Sequence, residues 1–232
     1  DEEGARFSRS LFGSGAVMGT IDVDIMRGLS DKEGNKLIDV LPQHGVDIDN
    51  MDGAQTRVAD TKAYVEVHIE QGPVLENQDK VIGVVPAVMG LRWFDCIVQG
   101  FEAHAGPTPM DIRVDALQNS LNIMQKVVAI ANEFKPHGRG TVGMVQAFPN
   151  SRNVIPGRVQ FSIDIRHPDS AILEKMTSLL KECIAKVSSE KSIAIDLKEV
   201  SYFPPCNFDY KCVDTIRQVA IDLGYSQMDV VS

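Results

Sequence analysis

His104 opens the stretch of this chain that is richest in possible chemistry, HAGPTPM at residues 104–110. Proline fixes φ and glycine allows the backbone to approach other groups closely, so this composition predicts a rigid loop. An imidazole held in such a loop, between a strand and a helix, is placed to act on a group outside its own domain. A solvent-exposed structural histidine in a turn is the alternative for a histidine considered alone.

Two adjacent carboxylates, Glu2 and Glu3, precede a glycine near the start of the sequence. Neighbouring side chains of an extended segment point in opposite directions. One carboxylate is then free to bind a metal while the other serves as a base. An acidic loop without chemical function is the alternative interpretation of this tetrapeptide.

His68 and Gln71 lie in the segment HIEQGP at residues 68–73, where an alternating stretch ends in polar groups and a tight turn. Strand ends that face a crevice are the places where α/β folds hold ligands and catalytic residues. A metal ligand and a hydrogen-bonded structural histidine both suit this position, so the segment alone leaves the function of His68 open.

Asn153 and Arg166 are the candidates for holding a charged substrate. Asn153 belongs to the polar loop 150–157 and offers hydrogen-bond donors as well as acceptors. Arg166 ends a predicted strand, and its guanidinium can hold a carboxylate through two parallel hydrogen bonds. We expect both side chains to converge on one carboxylate. An ion pair with Asp164 or Asp169 is the alternative for Arg166.

The elements that must position these residues follow a regular order from residue 90 onward. Their periodicities predict strands over 91–100, 141–148, 159–166 and 193–200, with helices over 113–134 and 171–188. This β-α-β-β-α-β order is that of a ferredoxin-like unit, a four-stranded sheet covered on one face by two helices. Thr108 or Asp111 is predicted to cap the first helix.

The segments on either side are predicted to belong to another domain, into which this unit is inserted. Residues 1–60 are expected to be irregular, with short helices such as 35–44. Further elements are predicted as a half-buried strand over 63–69, an extended stretch over 81–88, a helix over 210–223 capped by Gly224, and the start of a buried strand at 230–232. The predicted domains are therefore 1–88, 89–202 and 203–232.

Composition narrows the class of protein. The 232 residues are 44% hydrophobic, enough for a sizeable core. A net charge of −9 provides no basic surplus for phosphates, which argues against a nucleic-acid partner. No apolar run approaches the ~20 residues of a membrane span, so we expect no membrane partner. The four cysteines form no CxxC pair, and free thiols in a cytoplasmic protein are predicted.

Five motifs in one order resemble the amidase/carbamoylase branch of the metallopeptidase M20 family. They are DEEG-x-RF at 1–7, HIEQGPVLE at 68–76, HAGPTPM-x-x-R-x-DA at 104–116, NVIPG at 153–157 and D-x-RH at 164–167. The resemblance covers essentially the whole sequence. It implies an α/β fold: part of a phosphorylase/hydrolase-like metallohydrolase catalytic domain, in segments 1–88 and 203–232, with an inserted ferredoxin-like dimerisation (lid) domain.

The resemblance implies that Glu2 is the catalytic base, and that Glu3 and His68 are ligands of two divalent metal ions such as Zn, Mn, Co or Ni. The family's His-x-Asp motif, bridging aspartate and final metal-binding histidine have no counterpart in this sequence. We therefore expect a fragment lacking both ends, which retains no tightly bound dinuclear centre and is inactive by itself, because metal affinity depends on ligand number and geometry.

The resemblance also implies the roles of the substrate-binding residues. Gln71 matches a substrate-contacting glutamine, and Asn153 and Arg166 match residues that hold the substrate carboxylate. His104 matches a lid-domain histidine that binds substrate by reaching into the partner subunit's active site, where it stabilises the oxyanion. The implied assembly is a homodimer formed through the lid domain.

The implied reaction is metal-dependent hydrolysis of the carbamoyl C–N bond of N-carbamoyl-L-amino acids, which yields amino acid, ammonia and carbon dioxide. Allantoate amidohydrolase and β-ureidopropionase are the alternatives, because these substrates also carry a ureido group and a carboxylate. For the isolated chain, a non-catalytic dimerisation module is the alternative from another class.

Overall fold

The structure of the chain is a computed structural model that describes residues 6–7 and 11–232. Glu2 and Glu3 therefore lie outside the described residues. The chain forms two compact units, one that extends to Val67 and one from His68 to Ser232. The three predicted domain segments, 1–88, 89–202 and 203–232, remain predictions.

The first unit consists of short helices, as the sequence predicted, and these surround a small apolar cluster. Its elements are the α-helices α1 (Phe12–Val17), α2 (Val23–Arg27) and α3 (Leu37–Val40) and the 3-10 helices Leu41–His44 and Ile48–Val58. Asp22 begins α2 by accepting hydrogen bonds from the backbone N–H groups of Asp24 and Ile25. Met26 is completely buried at the centre of the cluster.

The half-buried strand predicted over residues 63–69 is wrong. Residues 61–71 have no regular secondary structure, and Val67 is 97% exposed. A strand is stabilised by hydrogen bonds to a neighbouring strand and by burial of one face. Among the described residues, no strand pairs with this segment, so its alternating pattern has no partner to stabilise it.

The second unit contains the remaining elements. In chain order they are α4 (Val74–Asn77), β1 (Ile82–Val88), β2 (Gly90–Gln99), β3 (Ala103–His104), α5 (Ala116–Glu133), β4 (Arg139–Thr141), β5 (Val145–Phe148), β6 (Val154–Ile155), β7 (Arg158–His167), α6 (Ser170–Lys191), β8 (Ala194–Phe203), β9 (Cys206–Asn207), α7 (Tyr210–Asp222) and β10 (Gln227–Val231). None of the described helices is long and apolar enough to cross a membrane.

Residues 90–203 form the predicted ferredoxin-like unit. Its antiparallel sheet has the order β4-β7-β2-β8, with β5 beside β4 on the same edge of β7. The pairing of β2 with β7 runs without a register shift from Gly90 opposite His167 to Gln99 opposite Arg158. Helices α5 and α6 pack together on one face of the sheet. The core lies between the sheet and these helices, and Phe161 within it is completely buried.

The single strand predicted over 141–148 is interrupted and forms β4 and β5. Thr141 pairs with Asp164 and Val145 pairs with Phe161, so residues 142–144 face only two residues of β7. One extra residue on one strand is the defining property of a β-bulge. Ser162 bridges the gap, because its Oγ accepts a hydrogen bond from the Met144 N–H at 3.1 Å.

Helix α5 begins at Ala116, and the capping prediction for Thr108 or Asp111 is wrong. The Asp115 side chain caps the helix by accepting from the N–H groups of Leu117 and Gln118 at 2.9 and 3.1 Å. Asp111 lies in the preceding 3-10 turn, Met110–Ile112. The Thr108 hydroxyl is already used, because it donates to the carbonyl of His104.

A small three-stranded sheet has the order β10-β1-β9, with β10 parallel and β9 antiparallel to β1. A strand does include residues 230 and 231, but β10 begins at Gln227 and ends at Val231, and Val230 and Val231 are half-buried. The prediction that a buried strand starts at 230–232 is therefore correct in type and wrong in bounds and burial. Helix α7 packs on β1, and Gly224 follows it with a φ of +76°, as predicted for a C-terminal cap. All four cysteines are free, as predicted. Burial raises the pKa of Cys96 to about 12, so that thiol stays protonated.

Candidate functional site

The structure brings His104 and Asn153 together. Strand β3 pairs with β6, so that Ala103 lies opposite Ile155 and His104 lies opposite Val154. The Ala105 N–H donates to the carbonyl of Asn153 at 2.8 Å and extends this contact by one hydrogen bond. Two residues separated by 49 positions in the sequence therefore share one exposed edge of the domain.

The His104 imidazole is held in one hydrogen-bonding state. The Gly106 N–H donates to Nδ1 of His104 at 3.1 Å. A ring nitrogen that accepts a hydrogen bond carries no proton, so this pattern assigns the proton of the neutral ring to Nε2. The loop thus presents an exposed N–H donor, which is the kind of group that stabilises a developing oxyanion.

Asn153 offers the second polar group at this edge. The Ser151 hydroxyl donates to Oδ1 of Asn153 at 3.0 Å. The side chain is exposed, and its Nδ2 group supplies two further N–H donors. His104 and Asn153 together present hydrogen-bond donors suited to oxygen atoms of a ligand.

Arg166 lies at the opposite end of β7. A β-strand rises about 3.3 Å per residue, so Arg158 at one end and Arg166 near the other are about 26 Å apart. Asn153 precedes β7 at the Arg158 end. The expected convergence of Asn153 and Arg166 on one carboxylate is therefore not seen within a single chain.

Arg166 forms the ion pair that the sequence analysis gave as its alternative. Nε donates to both oxygens of Asp164 at 3.0 and 3.1 Å, and Nη2 donates to Oδ2 at 2.7 Å. These hydrogen bonds raise the pKa of Arg166, and the guanidinium remains charged. They use one edge of the guanidinium, and the Nη1 edge points away from Asp164.

His68 and Gln71 lie in the exposed segment after Val67. Nδ1 of His68 is 2.6 Å from the carbonyl oxygen of Ile69. Facing an acceptor, this nitrogen carries the ring proton, which leaves Nε2 with its lone pair for a metal. Gln71 has a φ of +52° and forms part of the turn before α4. Among the described residues, no hydrogen bond links either side chain to loop 104–108.

The neighbouring carboxylate, Glu70, has a structural contact. It accepts hydrogen bonds from the backbone N–H groups of Val74 and Leu75 at 2.6 and 3.0 Å, at the start of α4. Within residues 6–7 and 11–232, no group of three or more His, Cys, Asp or Glu side chains is close enough to hold one metal ion. The described residues thus provide one candidate ligand, His68, and Glu3 lies outside them.

Two arginines that lie inside the motifs, Arg6 and Arg113, received no role from the sequence. Arg113 binds backbone carbonyls of the His104 loop. Arg6, in the same motif as Glu2 and Glu3, donates to the buried carboxylate of Asp31 at 3.0 Å. The signal that could have found both is the position of an arginine inside a motif whose other residues carry chemistry.

The comparisons with known proteins first identify a domain. Residues 87–192 match the family model of the M20 peptidase dimerisation domain. This match covers the ferredoxin-like unit up to the end of α6, without its last strand β8, and includes His104, Asn153 and Arg166.

Relatives and solved structures then identify the branch. The chain is 40% identical over its full 232 residues to an N-carbamoyl-L-amino-acid amidohydrolase of Rhizobium meliloti, of which it spans 55%. It is 36% identical over 197 residues, 85% of the chain, to an allantoate amidohydrolase of Escherichia coli, of which these residues span 47%. A hydantoinase/carbamoylase family amidase from Burkholderia multivorans matches with a TM-score of 0.81 and 36% identity, over 100% of this chain and 56% of that one.

The match to the M20 dimerisation domain and the similarity to hydantoinase/carbamoylase amidases along the whole chain confirm the resemblance inferred from the five motifs. The chain spans about half the length of the curated relatives it matches.

Proposed function

We propose that this chain contributes to an amidohydrolase that cleaves the carbamoyl C–N bond of N-carbamoyl-L-amino acids. The observation that carries the proposal is the His104 loop, which holds an exposed imidazole with its donor on Nε2. The relatives named above include amidohydrolases of N-carbamoyl-L-amino acids and of allantoate. The products are the amino acid, ammonia and carbon dioxide.

The residues of this chain act on two ends of the substrate, the carbamoyl group and the carboxylate. At the scissile end, Glu2 takes a proton from the attacking water and passes one to the leaving nitrogen. His104 donates a hydrogen bond from Nε2 to the oxygen that becomes negative when water attacks the carbamoyl carbon. At the other end, Arg166 binds the substrate carboxylate through its Nη1 edge, and Asn153 and Gln71 supply further hydrogen bonds.

The distance between Arg166 and Asn153 favours a site shared by two copies. Since about 26 Å of strand separates the two ends of β7, one chain cannot bring both residues to the same small molecule. In a homodimer formed through the dimerisation domain, Arg166 of one copy and His104 with Asn153 of the other meet in one site. The match to a dimerisation domain supports this arrangement.

Metal dependence is part of the proposal. Two divalent ions such as Zn, Mn, Co or Ni, when bound, supply a hydroxide nucleophile at neutral pH. His68 fits the role of a ligand, because the carbonyl of Ile69 occupies Nδ1 and leaves Nε2 available. Glu3 is the second proposed ligand in this chain.

Activity is tested in the complete protein that contains this sequence. Ammonia release is measured with N-carbamoyl-L-amino acids and with allantoate. We expect His104→Gln to lower kcat by roughly 10²–10³, the scale of one oxyanion donor. His137→Gln, at an exposed histidine of the same domain, is the matched control and leaves kcat unchanged. Equal kcat values for the two variants contradict the assignment of His104.

Allantoate hydrolysis is the second candidate, supported by the Escherichia coli relative. The carboxylate of either substrate suits Arg166, so the ratio of the two kcat/KM values decides between them. A dimer that hydrolyses neither substrate, in the presence of the divalent ions above, identifies the chain as a non-catalytic dimerisation module instead.

A further inference from the structure

We propose that Arg113 is a positioning residue that fixes His104 as an Nε2–H donor. The catalytic use of that donor rests on the proposed function. The structural part, that Arg113 sets the state of the ring, is measurable without any substrate. Arg113 lies outside the loop it holds and received no role from the motifs.

Arg113 closes the loop by binding two of its carbonyl groups. Nη2 donates to the carbonyl oxygens of Ala105 and Thr108 at 2.7 and 2.9 Å, and Nε donates to that of Thr108 at 3.1 Å. The side chain is half-buried. Within the described part of the chain it forms no salt bridge, so these carbonyls are what the guanidinium binds.

The two carbonyls enclose the amide that sets the histidine tautomer. Gly106 lies between Ala105 and Thr108, and its N–H donates to Nδ1 of His104. A Cβ atom built on Gly106 would lie 3.3 Å from Cε1 of the imidazole, so the ring packs directly against this backbone. Thr108 completes the closure, because its hydroxyl donates to the carbonyl of His104 at 2.6 Å.

The consequence for His104 follows from imidazole chemistry. The nitrogen that carries the proton is set by the hydrogen bond that the other nitrogen makes. If the loop opens, Gly106 no longer donates to Nδ1, and the proton distributes between the two nitrogens. An exposed donor at Nε2 is then present only part of the time. Lysine cannot replace Arg113, because an ammonium lacks the planar set of N–H groups that reaches two carbonyls at once.

The experiment reads the tautomer of His104 in the ¹⁵N-labelled 232-residue chain. Long-range ¹H–¹⁵N NMR spectra at alkaline pH distinguish Nδ1–H from Nε2–H, and the spectrum of His104→Gln assigns the His104 signals. We expect His104 of the wild-type chain to show the Nε2–H pattern. In Arg113→Met its two nitrogen shifts move toward each other, as in a mixture of tautomers, while the His167 signals keep their positions and report an intact domain.

Arg139→Met is the matched control. Nη1 of Arg139 also donates to two loop carbonyls, those of Pro136 and Gly138, at 2.7 and 3.1 Å. This loop lies elsewhere in the same domain, so the variant leaves the His104 signals unchanged. An unchanged His104 pattern in a folded Arg113→Met chain overturns the proposal, as does a wild-type His104 without the Nε2–H pattern.

Thr108→Val decides the matter if Arg113→Met does not fold. This variant removes the hydroxyl that binds the His104 carbonyl, and Thr108→Ser retains it. We expect mixed tautomers in Thr108→Val and the Nε2–H pattern in Thr108→Ser. An unchanged pattern in both overturns the proposal.

Kinetics separate this inference from the proposed function. In the complete protein, Arg113→Met should lower kcat by about tenfold, less than His104→Gln, with KM nearly unchanged. If the NMR shifts move but no amidohydrolase activity exists to be lowered, the positioning role stands and the proposed function fails.

Discussion

Arg166 and Asp164 lie two residues apart on β7, and the guanidinium donates three hydrogen bonds of 2.7 to 3.1 Å to the carboxylate. The two side chains are 42% and 27% exposed, and ion pairs this accessible add little to stability. Their contact instead fixes the plane of the guanidinium. Asp164 therefore orients the Nη1 edge that we propose for the substrate carboxylate.

Arg166→Lys tests that carboxylate contact in the complete protein. Lysine keeps the charge but loses the planar guanidinium. We expect kcat/KM on N-carbamoyl amino acids to fall by roughly tenfold or more, the scale of one charge-assisted hydrogen bond of ~1.5–3 kcal/mol. The loss should be much smaller on a ureido compound without a carboxylate. Equal losses on both substrates mean that Arg166 only supports the fold.

Arg158→Lys serves as the control for this substitution. Arg158 begins β7, at the end of the strand opposite to Arg166, and its Nη2 donates to Gln160 within the same strand. We expect kcat/KM to be retained in this variant for both substrates.

Asp115→Ala tests the cap of α5. Loss of the two hydrogen bonds to Leu117 and Gln118 should lower the free energy of unfolding by about 1 kcal/mol. Asp111→Ala removes an equally charged side chain that caps nothing, and should change it by less than about 0.5 kcal/mol. Urea denaturation of both variants gives the comparison. If Asp111→Ala lowers the free energy of unfolding more than Asp115→Ala does, Asp111 caps the helix, as the sequence suggested.

The helix cap and the wrong strand over 63–69 show that local patterns predict burial within one domain better than contacts with distant partners. The periodicities of α5 and α6 reflect burial against a sheet inside the same domain, and both helices were predicted. Residues 63–69 alternate as a strand would, but a strand also needs a pairing partner, which is distant in sequence. Thr108 has the right chemistry for a cap, but the carbonyl of His104 takes its hydroxyl. Which partner such a hydroxyl binds depends on the folded arrangement of the loop, which the local sequence does not determine.

The site was predicted in the same uneven way. The motifs identified His104 and Asn153, and β-pairing brings them together. Arg166 follows Asn153 by thirteen positions, which suggested convergence. Nine of those positions, 158–166, belong to strand β7, which separates the two residues. Arg113 was part of a motif but received no role, because its contacts are with backbone carbonyls, which no pattern of side chains in the sequence reveals.

His167 predicts a pH dependence of stability. It is 5% exposed, and this burial lowers its pKa below the usual 6.5. The folded state therefore favours the neutral ring, and as pH falls the unfolded chain takes up a proton first. The contribution of His167 to the free energy of unfolding is fully present above pH 6.5 and declines as pH falls below it.

Urea denaturation across this pH range checks the sign. The difference in free energy of unfolding between wild type and His167→Gln should shrink as pH falls below 6.5. His137→Gln, whose ring lies 6.3 Å from that of His167 but is exposed, should not remove the pH dependence. Parallel curves for wild type and His167→Gln would contradict the prediction.

Subunit mixing tests the shared site most directly. His104→Gln and Arg166→Ala should each be nearly inactive as homodimers of the complete protein. In a mixed dimer, one site combines the Arg166 of the first chain with the His104 of the second and is intact. Random exchange between equal amounts makes half of the dimers mixed, so about a quarter of wild-type activity returns. Light scattering confirms that dimers are present. If mixing with proven exchange restores no activity, each site is built within one chain, and the division of the site between two copies is wrong.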